Sequence, residues 1–594
     1  MKKVTFMVAA NYFVRALELL QKMGVVHLAH THEPLADGIT AIERRIAHIE
    51  KALNIFSTTK SDKQPKQKNL DKEKLFSSAK KIIELHARQQ DHKQNLNALV
   101  KELHWFECWG NVSKTSLSEL IAGEVFIKLY NCPKSLFKKL PKDKIIYIIG
   151  RDKATLRVVL VSRSQEEALE LQEVMAPQRK RHSVESKIIT TKANLRRIND
   201  KLKSLLIYKN AFIKLKEELS KRKEFYQARF GAERREGFCC VGGYCPQDSL
   251  EALKEVAKKE RWGYLFQEPD DYEKTPTLIK TPKWIKIINP VFRLMGTIPG
   301  YQEFDISFWF LLFFTIFVAM LIGDAGYGFL FLFAVVFMHR KIPKLPRQVC
   351  YLFYLLSGAT IFWGAVTGTW FGAERIAQFS LFSKLTIPAI ATFSPRDNQS
   401  FIVHLCFLLG AVHLTVAHLM VISRSLNSLR ALAQIGWMCI VWGLYYYCEM
   451  FVLNKTLPAA ANMLLMSGFI LALLFSSIHK GFIKGIGATL SDLPLNIIAS
   501  FSDVMSYLRI FAVGFATVAM AVSVNGMAKE ASGIASNVIL KGFLVSIILF
   551  VGHAINIALA MMGVLVHGVR LNLLEFSSHL GMEWTGIAYK PFKE

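Results

Sequence analysis

Charged residues are scarce in the second half of this 594-residue chain. Residues 301–594 hold 18 Lys and Arg and 12 Asp and Glu, whereas residues 1–300 hold 56 and 35. A mean hydropathy of +0.25 with a formal net charge of +27 is too apolar for an ordinary soluble protein and too charged for a purely membrane protein. The sequence therefore predicts two unlike parts, of which the first carries the basic surplus.

Motifs for nucleotide, metal and covalent chemistry are also lacking. Of the nine cysteines only Cys239, Cys240 and Cys245 cluster, and they form neither a CxxC motif nor a zinc-ligand spacing. The sequence has no GxxxxGK[ST] loop and no Ser/His/Asp spacing. We therefore expect reduced cysteines, no metal, no cofactor and no enzymatic activity on this chain. Nucleic acid is not an expected partner, because the basic residues are spread along helices.

The basic part begins with a predicted strand–helix–strand unit, "VTFMVAA", "RALELLQKMG" and "VVHLA". A signal peptide is disfavoured, since the apolar patch of "MKKVTFMVAANYFVRALELL" is short and interrupted. Further on, "GFCCVGGYCP", a helix and "WGYLFQEP" predict another small α+β unit. We expect both units to form a proximal lobe, residues 1–38 plus 231–275.

Two narrow apolar stripes predict an antiparallel coiled-coil arm over residues 39–107 and 183–230, with a helical bundle as the alternative. The stripes consist of Ile39, Ile42, Ile46, Ile49, Leu53 and Phe56, and of Leu195, Ile198, Leu202, Leu205, Phe212, Leu215 and Leu219. A Lys-rich stretch, "TTKSDKQPKQKNLDKEK", predicts a disordered insertion in the first stripe. Between the stripes, the strands "GEVFIKLY", "KIIYIIG" and "LRVVLVS" and the helices "CPKSLFKKL" and "SQEEALELQEVM" predict a distal α+β lobe, residues 112–182.

Apolar runs from about residue 305 onward predict an all-α polytopic membrane domain of about eight helices. The last two runs, of roughly 35 residues each, would reach about 50 Å against about 30 Å of hydrocarbon, so these helices must tilt or protrude. Loop charges predict a plasma (inner) membrane protein whose N-terminal domain and C-terminus are cytoplasmic. The predicted helices are 306–322, 327–339, 350–371, 401–423, 431–453, 458–478, 494–528 and 538–570, and the basic loop residues are Arg340, Lys341, Lys344, Arg347, Arg424, Arg430, Lys480 and Lys484.

Polar residues on the last two membrane helices share faces at helical spacing. Arg509 lies within "SDVMSYLRIFAVGFA", where an arginine near the bilayer centre costs roughly 3 kcal/mol. A single serine usually bonds the backbone and a single histidine is usually packed in the interior, but two intramembrane arginines favour an ion path. The shared faces consist of His553, Asn556, Ala560, Gly563, His567 and Arg570, of Ser502, Ser506 and Arg509, and of Asn496, Ser500 and Asp503.

Four stretches in sequence order carry a resemblance to a known family. "SDVMSYLRIFAVGFA" and "VHGVRLNLLEF…YKPF" resemble the last two helices of the membrane a/I subunit, the stator, of V-type and archaeal-type rotary ATPases. "MLIGDAGYGFLF" and "IFWGAVTGTWFGAE" are similar to other membrane signatures of that family, and "VGGYCP" resembles an element of its soluble domain. The resemblance covers essentially the whole chain and favours the prokaryotic form.

The resemblance implies a mechanism for the membrane part. Arg509 matches the essential arginine that faces the carboxylates of a rotating proteolipid ring, where it displaces the proton or sodium ion and separates two half-channels. Arg570 matches the second arginine, and His567 and Glu575 lie where the family often has half-channel residues. Thr517 and Ala560 replace the His and Glu of eukaryotic relatives, so Asp503, Ser506, His553 and Asn556 become candidates for the ion path.

The resemblance also implies domains and partners. Residues 1–300 would be a cytoplasmic stator domain and residues 301–594 a transmembrane ion-translocation domain. The expected partners are the proteolipid ring (c/K subunits), peripheral-stalk subunits of the E/G type, central-stalk or head subunits of the ATPase, and membrane lipid. A self-contained secondary transporter or channel with a regulatory arm is the alternative, although no internal repeat supports it. A structural scaffold would leave both arginines unexplained.

Overall fold

The computed structural model describes residues 1–29, 37–57, 71–112, 114–137, 140–141, 143–151, 155–164, 166–342, 345–393, 398–476, 482–534 and 537–593. Lys344, Lys480 and most of the Lys-rich insertion predicted in the arm lie outside these residues. The chain divides into two compact units, one of Met1–Lys3, Tyr244–Leu250 and Phe266–Lys590 and one of Val4–Gly243, Glu251–Leu265 and Pro591–Glu594.

A sheet follows from alternating apolar residues near the N-terminus. Lys2–Ala9 is a strand that buries Val4, Phe6 and Val8. The helix Phe13–Met23 buries Leu17 and Leu20 and ends at Gly24, whose φ of 61° suits the left-handed cap. The strands of the five-stranded sheet lie in the order His27–Ala29, Phe238–Cys245, Lys2–Ala9 and Gly263–Gln267. The fifth strand, Glu233–Arg235, pairs with Phe238–Cys245. The helix Leu250–Lys259 precedes the strand Gly263–Gln267 in the chain.

Four helices bury the two predicted apolar stripes together: Asp37–Ser57, Lys72–Trp109, Arg181–Leu205 and Lys209–Phe230. Ile49, Phe56, Leu202 and Phe212 are fully or almost fully buried in one shared cluster, and the Phe56 and Phe212 rings stack at 6.1 Å. A short 3-10 turn, Leu206–Tyr208, joins the last two helices. The burial of both stripes agrees with their spacing, while the coiled-coil arm and the lobe boundaries stay predictions.

The region between the arm helices contains a three-stranded antiparallel sheet of Phe126–Pro133, Thr155–Ser162 and Ile145–Arg151, with the helices Lys114–Ala122 and Lys134–Phe137. The helix predicted for "SQEEALELQEVM" is wrong, since its described residues are not helical. Tertiary contacts outweigh helix propensity there: the Val174 N–H donates to the Leu129 carbonyl at 2.7 Å, and Leu169 is buried beside Tyr130.

Apolar helices fill the other unit. They are Ser307–Ile322, Ala325–Lys341, Arg347–Thr367, Gln399–Arg424, Arg430–Leu453, Ala459–Phe475, Phe482–Ser506, Leu508–Ile534 and Val538–Gly563. Among the described residues five helices are long and apolar enough to cross a membrane, or six if the first two count as one broken span. The number of spans is therefore about five or six by this measure, and the predicted count of eight is not confirmed.

Short elements connect or flank these helices. Ile285–Ile288 and Asn289–Met295 precede them, Glu374–Ala377 and Ser380–Ser383 lie in the longest connection, and Pro276–Thr277 pairs in parallel with Ile587–Ala588.

The first two apolar helices, Ser307–Ile322 and Ala325–Lys341, form a bent pair with an angle of 118°. Gly323 allows the bend with a φ of 67°, and the buried Asp324 carboxylate caps the second helix by accepting the Tyr327 N–H at 3.1 Å. The same carboxylate accepts the N–H groups of Phe371 and Gly372 at 2.9 and 3.0 Å. The "GDAGYG" motif thus fixes both the bend and the loop after the third helix.

The last two predicted membrane helices are longer than the sequence suggested. One apolar helical stretch runs from Thr489 to Gly533 and the other from Val538 to His579. The first is interrupted by a turn at Tyr507 between Phe482–Ser506 and Leu508–Ile534. The second, here called the last helix, contains two π-helical segments, Val564–Gly568 and Leu571–Phe576. π-helical turns frequently occur at functional sites.

Candidate functional site

The two intramembrane arginines share one carboxylate. Arg509 Nη2 donates to Glu575 Oε1 at 3.2 Å, and Arg570 Nε lies 3.4 Å from the same oxygen. Leu508–Ile534 contributes Arg509, and the second π-helical segment of the last helix contributes Glu575. We call Arg509, Arg570 and Glu575 the ion triad, which has a formal charge of +1 when Glu575 is ionised.

The ion triad is unevenly exposed and not fully satisfied. The Glu575 side chain is only 3% exposed, whereas those of Arg509 and Arg570 are 25% and 51% exposed. Glu575 Oε2 is buried and has no hydrogen-bond partner among the described residues. The triad therefore presents cationic groups toward its open side while its only carboxylate stays inside.

A second polar group, here called the tyrosine cluster, consists of Tyr327, Asn525, His553 and Asn556. The Tyr327 hydroxyl lies 2.7 Å from His553 Nδ1 and accepts from Asn556 Nδ2 at 2.9 Å. His553 Nε2 lies 3.3 Å from Asn525 Oδ1, and Asn556 Nδ2 also donates to the Thr517 carbonyl at 2.7 Å. The cluster connects the bent pair with the last two long helical stretches.

A third group, here called the histidine cluster, consists of His418, Gln434, Asp503 and His579. His418 Nδ1 lies 2.7 Å from Gln434 Oε1, and His418 Nε2 lies 3.1 Å from His579 Nδ1. His579 Nε2 lies 3.1 Å from Asp503 Oδ2. All four side chains line a cavity of about 290 Å³. The four side chains therefore face a space large enough to hold water molecules.

Along each of the last two helical stretches, the two clusters lie on opposite sides of the ion triad. On one helical stretch Arg509 lies between Asp503, in the histidine cluster, and Asn525, in the tyrosine cluster. On the last helix the order is reversed, with Asn556 before the triad and His579 after it. Each antiparallel stretch therefore leads from one cluster through the triad to the other.

Two predicted site residues, Ser506 and His567, belong neither to the ion triad nor to the two clusters. Ser506 donates to the Ser502 carbonyl at 2.9 Å, which is the ordinary role of a serine in an apolar helix. His567 Nδ1 is buried and has no partner among the described residues. His553 and Asn556 lie on one side of the last helix, since both contact Tyr327. Beyond Gly563 the π-helical segments change the turn, so the face predicted to be shared by His567 and Arg570 stays a prediction.

Several site residues were missed from sequence. Tyr327 lies in a quoted motif, and Asn525 lies in the same helix as Arg509, but their contacts depend on tertiary structure. His418 and His579 stand singly in the sequence, where a packed interior histidine is the usual case. The only available signal was that His579 follows Glu575 by four positions, at helical spacing.

His413, by contrast, is a packed core histidine. It is fully buried and lies between the Phe313 and Phe576 rings at 3.9 and 4.3 Å. Its Nδ1 lies 2.8 Å from the Tyr507 hydroxyl. Because Tyr507 occupies the turn just before Leu508, this contact fixes the break in the helical stretch two residues before Arg509.

Comparison with known proteins gives full-length relatives. The chain is 29% identical to V-type ATP synthase subunit I of Borreliella burgdorferi, covering 100% of this chain and 99% of the relative. It is 27% identical to V-type ATP synthase subunit I 1 of Treponema pallidum, covering 100% and 99%. It is 25% identical to A-type ATP synthase subunit I of Methanocaldococcus jannaschii, covering 92% and 83%. No family model matches the chain.

One solved structure is similar to part of this chain. It is described as the cytoplasmic N-terminal domain of subunit I, homolog of subunit a, of V-ATPase. The match covers 45% of this chain and 100% of the solved chain at 12% sequence identity. Its TM-score of 0.23 is too low to support a conclusion. The full-length relatives confirm the family resemblance that the sequence motifs indicated.

Proposed function

Because this chain is a multi-pass membrane homologue of V-type and A-type ATP synthase subunit I, we propose that it is the ion-conducting stator of a rotary ATPase. In this role the chain is not catalytic and works beside a ring of proteolipid subunits. The observation that carries the proposal is the ion triad, which holds two arginines at one partly open position between two polar clusters.

Arg509 acts on the ring carboxylates. As a carboxylate arrives, the guanidinium, which does not lose its proton, favours the ionised carboxylate, so the bound proton or sodium ion leaves. The same positive charge repels a cation moving directly between the clusters. Glu575 Oε1 already accepts from Arg509 at 3.2 Å, which supports the idea that this site binds carboxylates.

The tyrosine and histidine clusters form the two half-channels. Both contain titratable or amide side chains from several helices, and their sequence order places the ion triad between them. We propose that the histidine cluster and the C-terminus face the cytoplasm, because His418 and Gln434 flank the connection that carries the basic residues Arg424 and Arg430. An ion then enters through one cluster, travels with the ring and leaves through the other.

Substitution of Arg509 tests this proposal. In vesicles containing the assembled complex, Arg509→Lys should abolish ATP-driven ion transport while the complex stays assembled, because a desolvated lysine can lose its charge. Arg424→Lys, a change outside the ion triad, serves as the matched control. Wild-type transport by the Arg509→Lys complex would contradict the proposal.

The basic first part holds the stator in place. Its net charge of +21, from 56 basic and 35 acidic residues in 1–300, suits acidic peripheral-stalk and head subunits. Deleting residues 112–182 should leave the membrane part inserted but weaken retention of the ATPase head, most strongly at high salt. Retention of the head through purification at high salt would contradict the stator-arm role.

A further inference from the structure

A cavity beside the start of the first apolar helix takes no part in the proposed ion path. We call it the boundary cavity, and it has a volume of about 420 Å³. Its walls come from two pieces of one compact unit, residues 277–307 and residues 584–589. Ile587–Ala588 pairs with Pro276–Thr277 at this place, so the two pieces are joined through their backbones. The volume lies within the range of about 300–1,000 Å³ that is usual for small-ligand sites.

One cationic and one anionic side chain line the boundary cavity. They are Arg293 and Asp305, and both are exposed. Neither forms an ion pair within the part of the chain that the structure describes. Asp305 Oδ1 accepts the Ser307 N–H at 3.0 Å, which fixes the carboxylate at the start of the helix. The neighbouring Glu303 carboxylate is already used by backbone N–H groups, so Asp305 is the acidic group that a ligand can reach.

The uncharged part of the lining is aromatic and amide. The rings of Phe292 and Trp584 both line the cavity, with their centres 6.1 Å apart. An aromatic ring face attracts a cation, most strongly when that cation is a quaternary ammonium group or lies out of water. Asn289 adds an amide that can donate to an oxygen of a ligand. The cavity therefore offers partners to an anion and to an ammonium group at the same time.

Apolar side chains beside the cavity point to a ligand with a hydrocarbon part. Leu294 follows Arg293 and is 72% exposed, and Phe308 follows Ser307 and is 37% exposed. The ring of Trp284, which is 58% exposed, packs edge-on against Phe308 at 5.7 Å. The apolar run of Ser307–Ile322 begins here, so the cavity lies where the hydrocarbon of a bilayer gives way to its headgroups. Acyl chains can cover these exposed side chains, whereas a soluble zwitterion would leave them in water.

We propose that the boundary cavity binds the headgroup of one zwitterionic phospholipid. The phosphate pairs with Arg293, and the ammonium group lies against Asp305 and the two aromatic rings. Phosphatidylethanolamine and phosphatidylcholine share this chemistry: a primary ammonium donates to the carboxylate, and a quaternary ammonium lies on the ring faces. Phosphatidylglycerol has the phosphate but no cation to offset Asp305, so it binds less tightly. A bound lipid ties residues 584–589 to the start of the first apolar helix.

Lipid titration of the purified full chain, followed by native mass spectrometry, tests this site with three lipids of identical acyl chains: phosphatidylethanolamine, phosphatidylcholine and phosphatidylglycerol. The wild-type chain should hold one lipid of either zwitterionic kind about tenfold more tightly than phosphatidylglycerol, as expected for one charge-assisted contact. Asp305→Asn keeps an acceptor for the Ser307 N–H and should remove this preference. Arg293→Gln should weaken the binding of all three lipids.

Arg347→Gln is the matched control, because Arg347 is also exposed and starts the third apolar helix but does not line the cavity. Phosphatidylcholine should raise the melting temperature of the wild-type chain and of this control, but not that of Arg293→Gln. Equal wild-type affinity for the three lipids, or a preference that survives Asp305→Asn, would overturn the proposal. Lipid binding by Arg293→Gln as tight as that by the control would also overturn it.

Discussion

Arg509 and Glu575 lie 66 positions apart in sequence, yet Nη2 of the arginine donates to Oε1 of the glutamate at 3.2 Å. The other glutamate oxygen is buried without a partner among the described residues. Arg509 therefore has an internal counter-ion. Under the proposed function, a ring carboxylate that passes Arg509 would compete with Glu575 for the same guanidinium.

Loss of this counter-ion should weaken the membrane part. Glu575→Gln leaves two arginines facing a neutral amide, and breaking a buried ion pair costs about 3–5 kcal/mol, less here because both arginines are partly exposed. We expect a lower melting temperature of the purified chain and slower transport by the complex. Glu583→Gln, beyond the last helix, is the matched control. An unchanged melting temperature for Glu575→Gln would show that the triad is not stabilised by this pair.

The hydroxyl of Tyr327 should matter for transport more than its ring. Tyr327→Phe keeps the packing but removes the one oxygen that contacts both His553 and Asn556. Leaving buried polar partners unsatisfied costs about 1–3 kcal/mol. We expect a clearly reduced rate in vesicles, while Tyr351→Phe, at a 53% exposed position, serves as the control. Equal rates for the two variants would argue against a path through the tyrosine cluster.

Close backbone packing near Arg509 gives a test of structure rather than chemistry. A Cβ at Gly514 would lie 2.4 Å from the Met320 carbonyl oxygen, so Gly514→Ala must push Leu508–Ile534 away from the bent pair. Gly526 lies in the same helix with nothing within 4 Å of an added Cβ. Gly514→Ala should lower the yield of folded protein and its melting temperature. Gly526→Ala should not, and equal behaviour of the two variants would contradict this packing.

Burial of Cys245, in the basic first part of the chain, predicts how the rate of its alkylation depends on pH. Burial disfavours the thiolate and raises the pKa of Cys245 to about 11. An unperturbed cysteine has a pKa of about 8.5, so the thiolate fraction at neutral pH is lower by roughly two to three orders of magnitude in the folded chain. Alkylation followed by peptide mass mapping should find Cys245 slow and Cys240, half-buried in the same strand, faster. Unfolding, or a pH approaching 11, should accelerate Cys245, and equal rates in the folded chain would contradict its burial.

Local patterns predicted much of the secondary structure but few of the site contacts. The alternating apolar residues around Phe6 and the apolar stripe through Ile49 are buried as their spacing predicts. Such a prediction needs only one strand or helix that packs one face against a core. The helix expected around Leu169 is absent, since the backbone hydrogen bond from Val174 to Leu129 outweighs local helix propensity there. Motif resemblance pointed to Arg509, Arg570 and Glu575. The contacts of His418 and Tyr327 could not be predicted, because they join helices that are far apart in sequence.

The two π-helical segments affect the direction in which side chains of the last helix point around its axis. A π-helical turn holds more residues than an α-helical turn, and each residue of an α-helix advances by about 100° around the axis. Converting one segment, Val564–Gly568 or Leu571–Phe576, to an α-helix would therefore turn the side chains beyond it to a different side. Arg570 lies between the two segments. Converting Val564–Gly568 alone would turn Arg570 to a different side of the helix, together with all residues that follow it.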